Sequence, residues 1–126
     1  MTATSTRHNR GRANFHAGIA AENRIAQDYE RRGFAVARRR WRGRGGEIDL
    51  ILRDGTGLIF VEVKHSRDFA RAAESLTRRQ MHRICASAEE FLGTQPGGSL
   101  TPVRFDVALV DGQGDMQIIE NAFGHG

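Results

Sequence analysis

The chain of 126 residues has a single cysteine, Cys85, and a single lysine, Lys64. One cysteine excludes an internal disulfide and with it a small fold held by such bridges. A reducing cytoplasm is the expected location, and Cys85 reads as a small core residue. No apolar run approaches the ~20 residues that span a bilayer. The opening segment MTATSTRHNRGR has charge but no apolar stretch, so it does not read as a secretory signal. The scarcity of lysine is more pointed, because the other 18 of the 19 basic residues are arginine. Arginine serves wherever positive charge alone is wanted. The lone lysine marks a position where a broad guanidinium that stays protonated will not do.

What is present is ordinary in amount and uneven in placement. A hydrophobic fraction of 39% and a charged fraction of 27% fit one soluble domain of this length. Residues 1–44 hold eleven of the 19 basic residues and three of the 15 acidic ones, a local balance of +8 against −4 for the remainder. A basic end beside a mildly acidic body points to a polyanion partner, with the acids gathered for another purpose.

Residues 1–13 read as a disordered basic arm, 14–122 as one domain and 123–126 as a flexible tail. The spacing predicts a helix over 15–32, closed by Gly33, with Phe15, Ile19, Ala26 and Tyr29 on one stripe. Glu22 falls on that stripe, where a carboxylate is costly unless something compensates it. A strand over 34–40 and a basic loop, RRRWRGRGG, follow. GEIDLILR (46–53) and GLIFVEVK (57–64) read as a hairpin around Asp54-Gly55-Thr56-Gly57. Strict alternation puts Ile48, Leu50 and Leu52 on one face and Glu47, Asp49 and Ile51 on the other. In the second strand Ile59, Val61 and Val63 oppose Leu58, Phe60, Glu62 and Lys64. A two-residue Gly55-Thr56 loop would set Asp49 directly across from Glu62. Residues 65–76 read as irregular. A helix over 78–92 follows, with a capping box from Thr77 and Gln80, and then strands over 103–109 and 116–121. The order α-β-β-β-α-β-β predicts an α/β domain with one central mixed sheet flanked by helices.

Asp49, Glu62 and Lys64 form the pattern D-x₁₂-E-x-K. Two carboxylates at a strand pair, with no sulfur or imidazole between them, suit a hard cation such as Mg²⁺ or Mn²⁺. The Val63 backbone carbonyl offers a third oxygen, and Glu47 a further candidate ligand. A lysine beside Glu62 would orient the attacking water, or take its proton after losing its own. A cation there would polarise a phosphoryl oxygen, so the set has the parts to hydrolyse a phosphodiester. The bland alternative is a Glu–Lys network on a solvated sheet face. Leu58 and Phe60 on that face, the like charges of Glu47 and Asp49, and the uniqueness of Lys64 all weigh against it.

The hairpin GEIDLILRDGTGLIFVEVK, with Ala21-Glu22 in the first helix and Val103-Arg104-Phe105-Asp106-Val107 downstream, resembles the YraN-like family of uncharacterised bacterial proteins. That family is similar to archaeal Holliday-junction resolvases within the PD-(D/E)XK, restriction-endonuclease-like superfamily. The resemblance covers roughly residues 15–110. It implies a restriction-endonuclease-like core, Mg²⁺ or Mn²⁺ dependence and cleavage of DNA, with selectivity for branched or flapped DNA as one expectation. By the same resemblance Asp49 and Glu62 are metal ligands, Lys64 is the catalytic lysine, and Glu22 is the helix-borne acid that completes the site and a further candidate ligand. The name-giving proline is absent, with Glu47-Ile48 ahead of Asp49, and Gln80 stands where family members often have lysine. Resolvases suggest a homodimer. The alternative is a nucleic-acid-binding protein that keeps the nuclease fold and cleaves little or not at all.

DNA contacts are expected from Arg38, Arg39, Arg40, Arg42 and Arg44, with Trp41 either stacked on the ligand or packed in the core. Arg78 and Arg79 begin the second helix and offer more phosphate contacts. Gln80 lies there too, though its capping spacing already explains it. His65 reads as solvated and Asp106 as structural. No base-reading motif is present, so structure-selective or nonspecific binding is the default.

Overall fold

A computed structural model describes residues 18–124. The expected arm at 1–13, Phe15 and the last two residues lie outside that range. Helix α1 covers the described residues 18–31 and ends at Gly33, whose φ of 97° suits glycine. Strands β1 (Ala35–Gly43), β2 (Gly46–Asp54) and β3 (Gly57–His65) follow. Two helices come next, α2 (Phe69–Glu74) and α3 (Arg78–Leu92), then a short 3₁₀ turn at Gly98–Leu100. Strands β4 (Val103–Val110) and β5 (Met116–Phe123) end the fold.

The strands form one mixed sheet in the order β1-β2-β3-β4-β5. All neighbours are antiparallel except β3 and β4. That parallel pair needs a long crossover, and α2 and α3 supply it. Helix α1 covers one face of the sheet through Ala21, Ile25, Ala26 and Tyr29, against Leu50, Leu52, Ile59, Val61, Ala108 and Val110. The other face packs α2 and α3 through Ala72, Ile84, Ala88 and Phe91, against Ile51, Leu58, Phe60, Phe105 and Leu109. The expected α/β class with one central mixed sheet is what forms, and its layering is consistent with a restriction-endonuclease-like arrangement. Each large apolar side chain buried in these layers is worth roughly 1.5–3 kcal/mol, so the sheet centre is the rigid part of the molecule.

The β2–β3 turn is the two-residue loop: Asp54 pairs with Gly57, and Gly55 takes a φ of 60° that favours glycine. Several boundaries differ from expectation. The basic segment after residue 38 is not a loop. Strand β1 runs on to Gly43, and only Arg44 and Gly45 turn the chain into β2. This turn lies hard against α3. Ser87 Oγ donates to the Gly46 carbonyl at 2.8 Å, the Arg44 N–H donates to Glu90 Oε2 at 2.7 Å, and a Cβ on Gly45 would stand 2.5 Å from the Arg83 carbonyl oxygen. Segment 65–76, expected to be irregular, contains α2, capped by Asp68 through the Arg71 N–H. Strand β5 extends to Phe123, whose buried ring lies 5.1 Å from that of Phe105, so the sheet reaches past the expected end of the domain.

Strand β2 does not keep strict alternation. Ile48 packs with the α3-side cluster alongside Ile51, whereas Leu50 and Leu52 pack on the α1 side. The phase slips between Ile48 and Leu50, at Asp49. The β2–β3 ladder also stops there, its last pair being Leu50 with Val61. Below that pair the Val63 N–H donates to the Asp49 side chain, Oδ2 at 2.8 Å, instead of to the neighbouring backbone.

Candidate metal centre

The phase slip brings Asp49 beside acids from two other places. One carboxylate oxygen each from Glu22 on α1, Glu47 and Asp49 lies within 4.8 Å of the others. Glu22 is on the packing stripe of α1, and the reason is now visible: it faces these acids rather than an apolar wall. Glu62 joins the group through a hydrogen bond shared with Asp49, and the charges of Asp49, Glu47 and Lys64 all act on it.

The electrostatics are those of crowded, partly buried carboxyl groups. Burial pushes the Glu62 carboxyl up to about 9, and the bond to Asp49 and the Asp49 charge push the same way, while Lys64 pulls back. The raised value favours a proton shared between Glu62 and Asp49. Burial also raises the Glu22 carboxyl, with the Asp49 and Glu47 charges adding to it and Arg40 opposing. The Arg40 Nε and Nη2 both donate to Glu22 Oε2, at 3.0 and 2.8 Å. Arg42 approaches Glu47 at 3.7 Å.

Glu22 and Glu47 border a cavity of about 770 Å³ that Arg40, Val63, His65 and Arg67 also line, while Asp49 lies behind them outside the lining. Val63 and His65 are alternate residues of β3. Glu62 and Lys64 have the opposite phase and are not part of the lining. The site thus has two levels: Glu22 and Glu47 face the cavity, and Glu62 with Lys64 is reached through Asp49. The sequence placed Asp49, Glu62 and Lys64 on one sheet face; the structure joins them through a break in β2. Val63 lines the cavity, and its N–H is the group bonded to Asp49.

The donor set fits a hard divalent cation. It is all oxygen, with carboxyl groups drawn from α1, β2 and β3. The spread of Glu22, Glu47 and Asp49 oxygens is near that of ligands lying 2.0–2.6 Å from a shared ion.

Arg38, Arg39, Arg40, Arg42, Arg44, Arg78 and Arg79 are all exposed. Arg38 donates to the Ala37 carbonyl and Arg39 to Asn23 Oδ1. Trp41 is half-buried and packs against the core, its ring 5.2 Å from that of Phe91 in a T-shaped arrangement. Gln80 completes the capping box with Thr77. Cys85 packs beside the α3-side core, and burial raises its thiol.

Asp106 is structural. It is fully buried and accepts from the Tyr29 hydroxyl, from two guanidinium nitrogens of Arg104 and from the Asn121 N–H. The role of Arg40 at Glu22 had no counterpart in the sequence reading. The signal was in the register: Arg39 pairs with Leu50 and Trp41 with Ile48, which sets Arg40 across from Asp49. Only a two-residue turn at Arg44-Gly45 makes that register, and the segment had been read as a loop.

No described helix is long and apolar enough to cross a membrane. Residues 21–110 match the uncharacterised protein family UPF0102. A UPF0102 protein of Ruegeria pomeroyi is 67% identical, over 93% of this chain and 95% of its own length. One from Cereibacter sphaeroides is 57% identical over 90% and 97%, and one from Roseobacter denitrificans 48% over 100% and 98%. The expected family is thereby met: the chain belongs to the UPF0102, YraN-like family.

Proposed function

We propose that the protein is a DNA endonuclease dependent on Mg²⁺ or Mn²⁺, hydrolysing phosphodiesters at the acidic centre. The observation that carries this reading is the crowding of Glu22, Glu47, Asp49 and Glu62 around the break in β2, with the chain's one lysine acting on Glu62.

In this reading Asp49, Glu22, Glu47 and, once it gives up its proton, Glu62 hold the cation. When bound, it neutralises the charge that develops on the phosphoryl oxygens. Lys64 orients the attacking water. The water oxygen would bond to phosphorus as one of its protons passes to solvent, the ester P–O bond would break, and the leaving oxygen would take a proton from solvent. Arg38, Arg39, Arg42 and Arg44 along one edge, and Arg78 and Arg79 at the start of α3, hold phosphates without reading bases. A family nuclease fold that binds DNA with little cleavage is the second reading. The Arg40–Glu22 pair favours it, since Glu22 already has a counter-charge.

Cleavage of labelled branched, single-stranded and duplex DNA with Mg²⁺, Mn²⁺ or EDTA tests the proposal. Cutting with either metal, abolished by EDTA and by Asp49→Asn, is the expected result. Salt-sensitive DNA binding without cutting under any condition selects the second reading.

A further inference from the structure

Arg40 stands where the sheet gives least reason for an arginine. Its φ is 51°, in the left-handed region that non-glycine residues seldom adopt. Such a conformation costs of order 1–3 kcal/mol and persists only where the surroundings impose it. Arg40 lies across from Asp49, at the point where β2 slips phase. Its neighbours Arg38, Arg39 and Arg42 keep negative φ among the described residues. The consequence of the twist is that the Arg40 side chain reaches the cavity with Glu22 and Glu47. There it donates two hydrogen bonds to one oxygen of Glu22, whose side chain is 15% exposed, while the arginine side chain stays 39% open to solvent.

Building on the proposed cation site, we infer that Arg40 is a displaceable internal counter-ion that holds Glu22 until a divalent cation takes its place, and that it then turns to a DNA phosphate. Two features carry this. A cation and the two guanidinium donors on Oε2 would draw on the one negative charge of the Glu22 carboxylate, so the two compete. The guanidinium also lines the cavity while its side chain stays 39% open to solvent, so once released it is free to turn to an approaching phosphodiester. Cation and DNA would therefore each favour the other's binding, and by linkage the coupling is reciprocal. Arg40 is a positioning residue in this account, not one that touches the reacting atoms before DNA arrives.

The test uses the full chain and reads binding, not cleavage. Mn²⁺ is titrated without DNA and the free ion is followed by electron paramagnetic resonance. Arg40→Gly, which also relieves the positive φ, should bind Mn²⁺ at least ~10-fold more tightly than the wild type. Arg40→Lys keeps the charge and loses the paired donors, and should fall between. Arg24→Ala removes an exposed arginine charge elsewhere on α1 and should change the affinity less than ~2-fold. Melting each variant shows that it is folded, and Arg40→Lys serves if the glycine variant is not. In a second arm, duplex affinity is compared in EDTA and in Ca²⁺. The gain on adding Ca²⁺ should shrink in Arg40→Gly. Equal Mn²⁺ affinity in wild type and Arg40 variants, or an equal Ca²⁺ gain, overturns the inference while leaving the cation site standing. No Mn²⁺ binding by any of them overturns the site itself.

Discussion

Two acidic centres lie one residue apart along the sheet, and they are built on opposite plans. Asp106 pairs in register with Val61, and Glu62 with Val107. Asp106 is wholly buried, yet every neighbour donates to it: a tyrosine hydroxyl, a guanidinium and a backbone N–H. Its surroundings also push the Tyr29 hydroxyl well above its ordinary value, through burial first and then the bond to Asp106, so that the proton stays in place. The Asp49 centre is less buried, but its members face one another. Glu62 must keep a proton, and Glu22 borrows an arginine. A carboxylate surrounded by donors is finished when the chain folds. Carboxylates surrounded by carboxylates are finished by something the chain does not contain.

The largest effect should come from breaking the finished centre. Asp106→Ala leaves Arg104 and the Tyr29 hydroxyl without an acceptor and should cost at least ~3 kcal/mol of stability. Asn at Asp49 removes a like charge and should leave the protein without added metal as stable as before, or more so. Chemical denaturation of both variants checks the contrast. Equal losses would mean that the Asp49 group is also a structural network.

The next effect is on rate. Lys64→Arg keeps the charge in a chain that otherwise uses only arginine. It should retain DNA binding and melting temperature and lose at least ~10-fold in cleavage, about 1.4 kcal/mol of transition-state stabilisation. An unchanged rate would reduce Lys64 to an ordinary charge.

A smaller effect sharpens the electrostatic half of the comparison. The folded Glu62 carboxyl titrates near 9, against 4.5 as its ordinary value. The folded state thus holds a proton that the unfolded chain has released. Its stabilising contribution is complete below about 4.5 and is lost as pH rises towards about 9, with a slope approaching ~1.4 kcal/mol per pH unit in between. Glu62→Gln should flatten that slope in metal-free buffer. A slope that persists in the glutamine variant assigns the titration elsewhere.

Local features were the legible ones. The Gly55-Thr56 turn, the Thr77–Gln80 capping box and the apolar stripe of α3 each depend on residues a few positions apart. So did the suspicion about Glu22, because a carboxylate on a packing face asks for a partner. The lone Lys64 drew the eye by composition and falls beside Glu62 in electrostatic reach. Tertiary packing decided the rest. No pattern within GEIDLILR announces a phase slip at Asp49, since Ile48 and Leu50 are equally apolar and only the two helix layers assign them to opposite faces. The basic run 38–44 looked like a loop because arginines and glycines favour solvent; pairing with β2 and the support of α3 at Gly45 and Gly46 make it a strand and a turn. Six residues of α2 are too few for a period to show. Trp41 was ambiguous until Phe91 was placed beside it.

The central claim is that one acidic centre is complete and the other awaits a cation. It is tested most directly by the melting temperature of the full chain with and without Mn²⁺. At a hundredfold excess over its dissociation constant the ion should add about 2.7 kcal/mol, several degrees for a domain of this size. The account predicts that rise in the wild type and its loss in Asp49→Asn. No rise in the wild type, or a rise of the same size in Asp49→Asn, would contradict it.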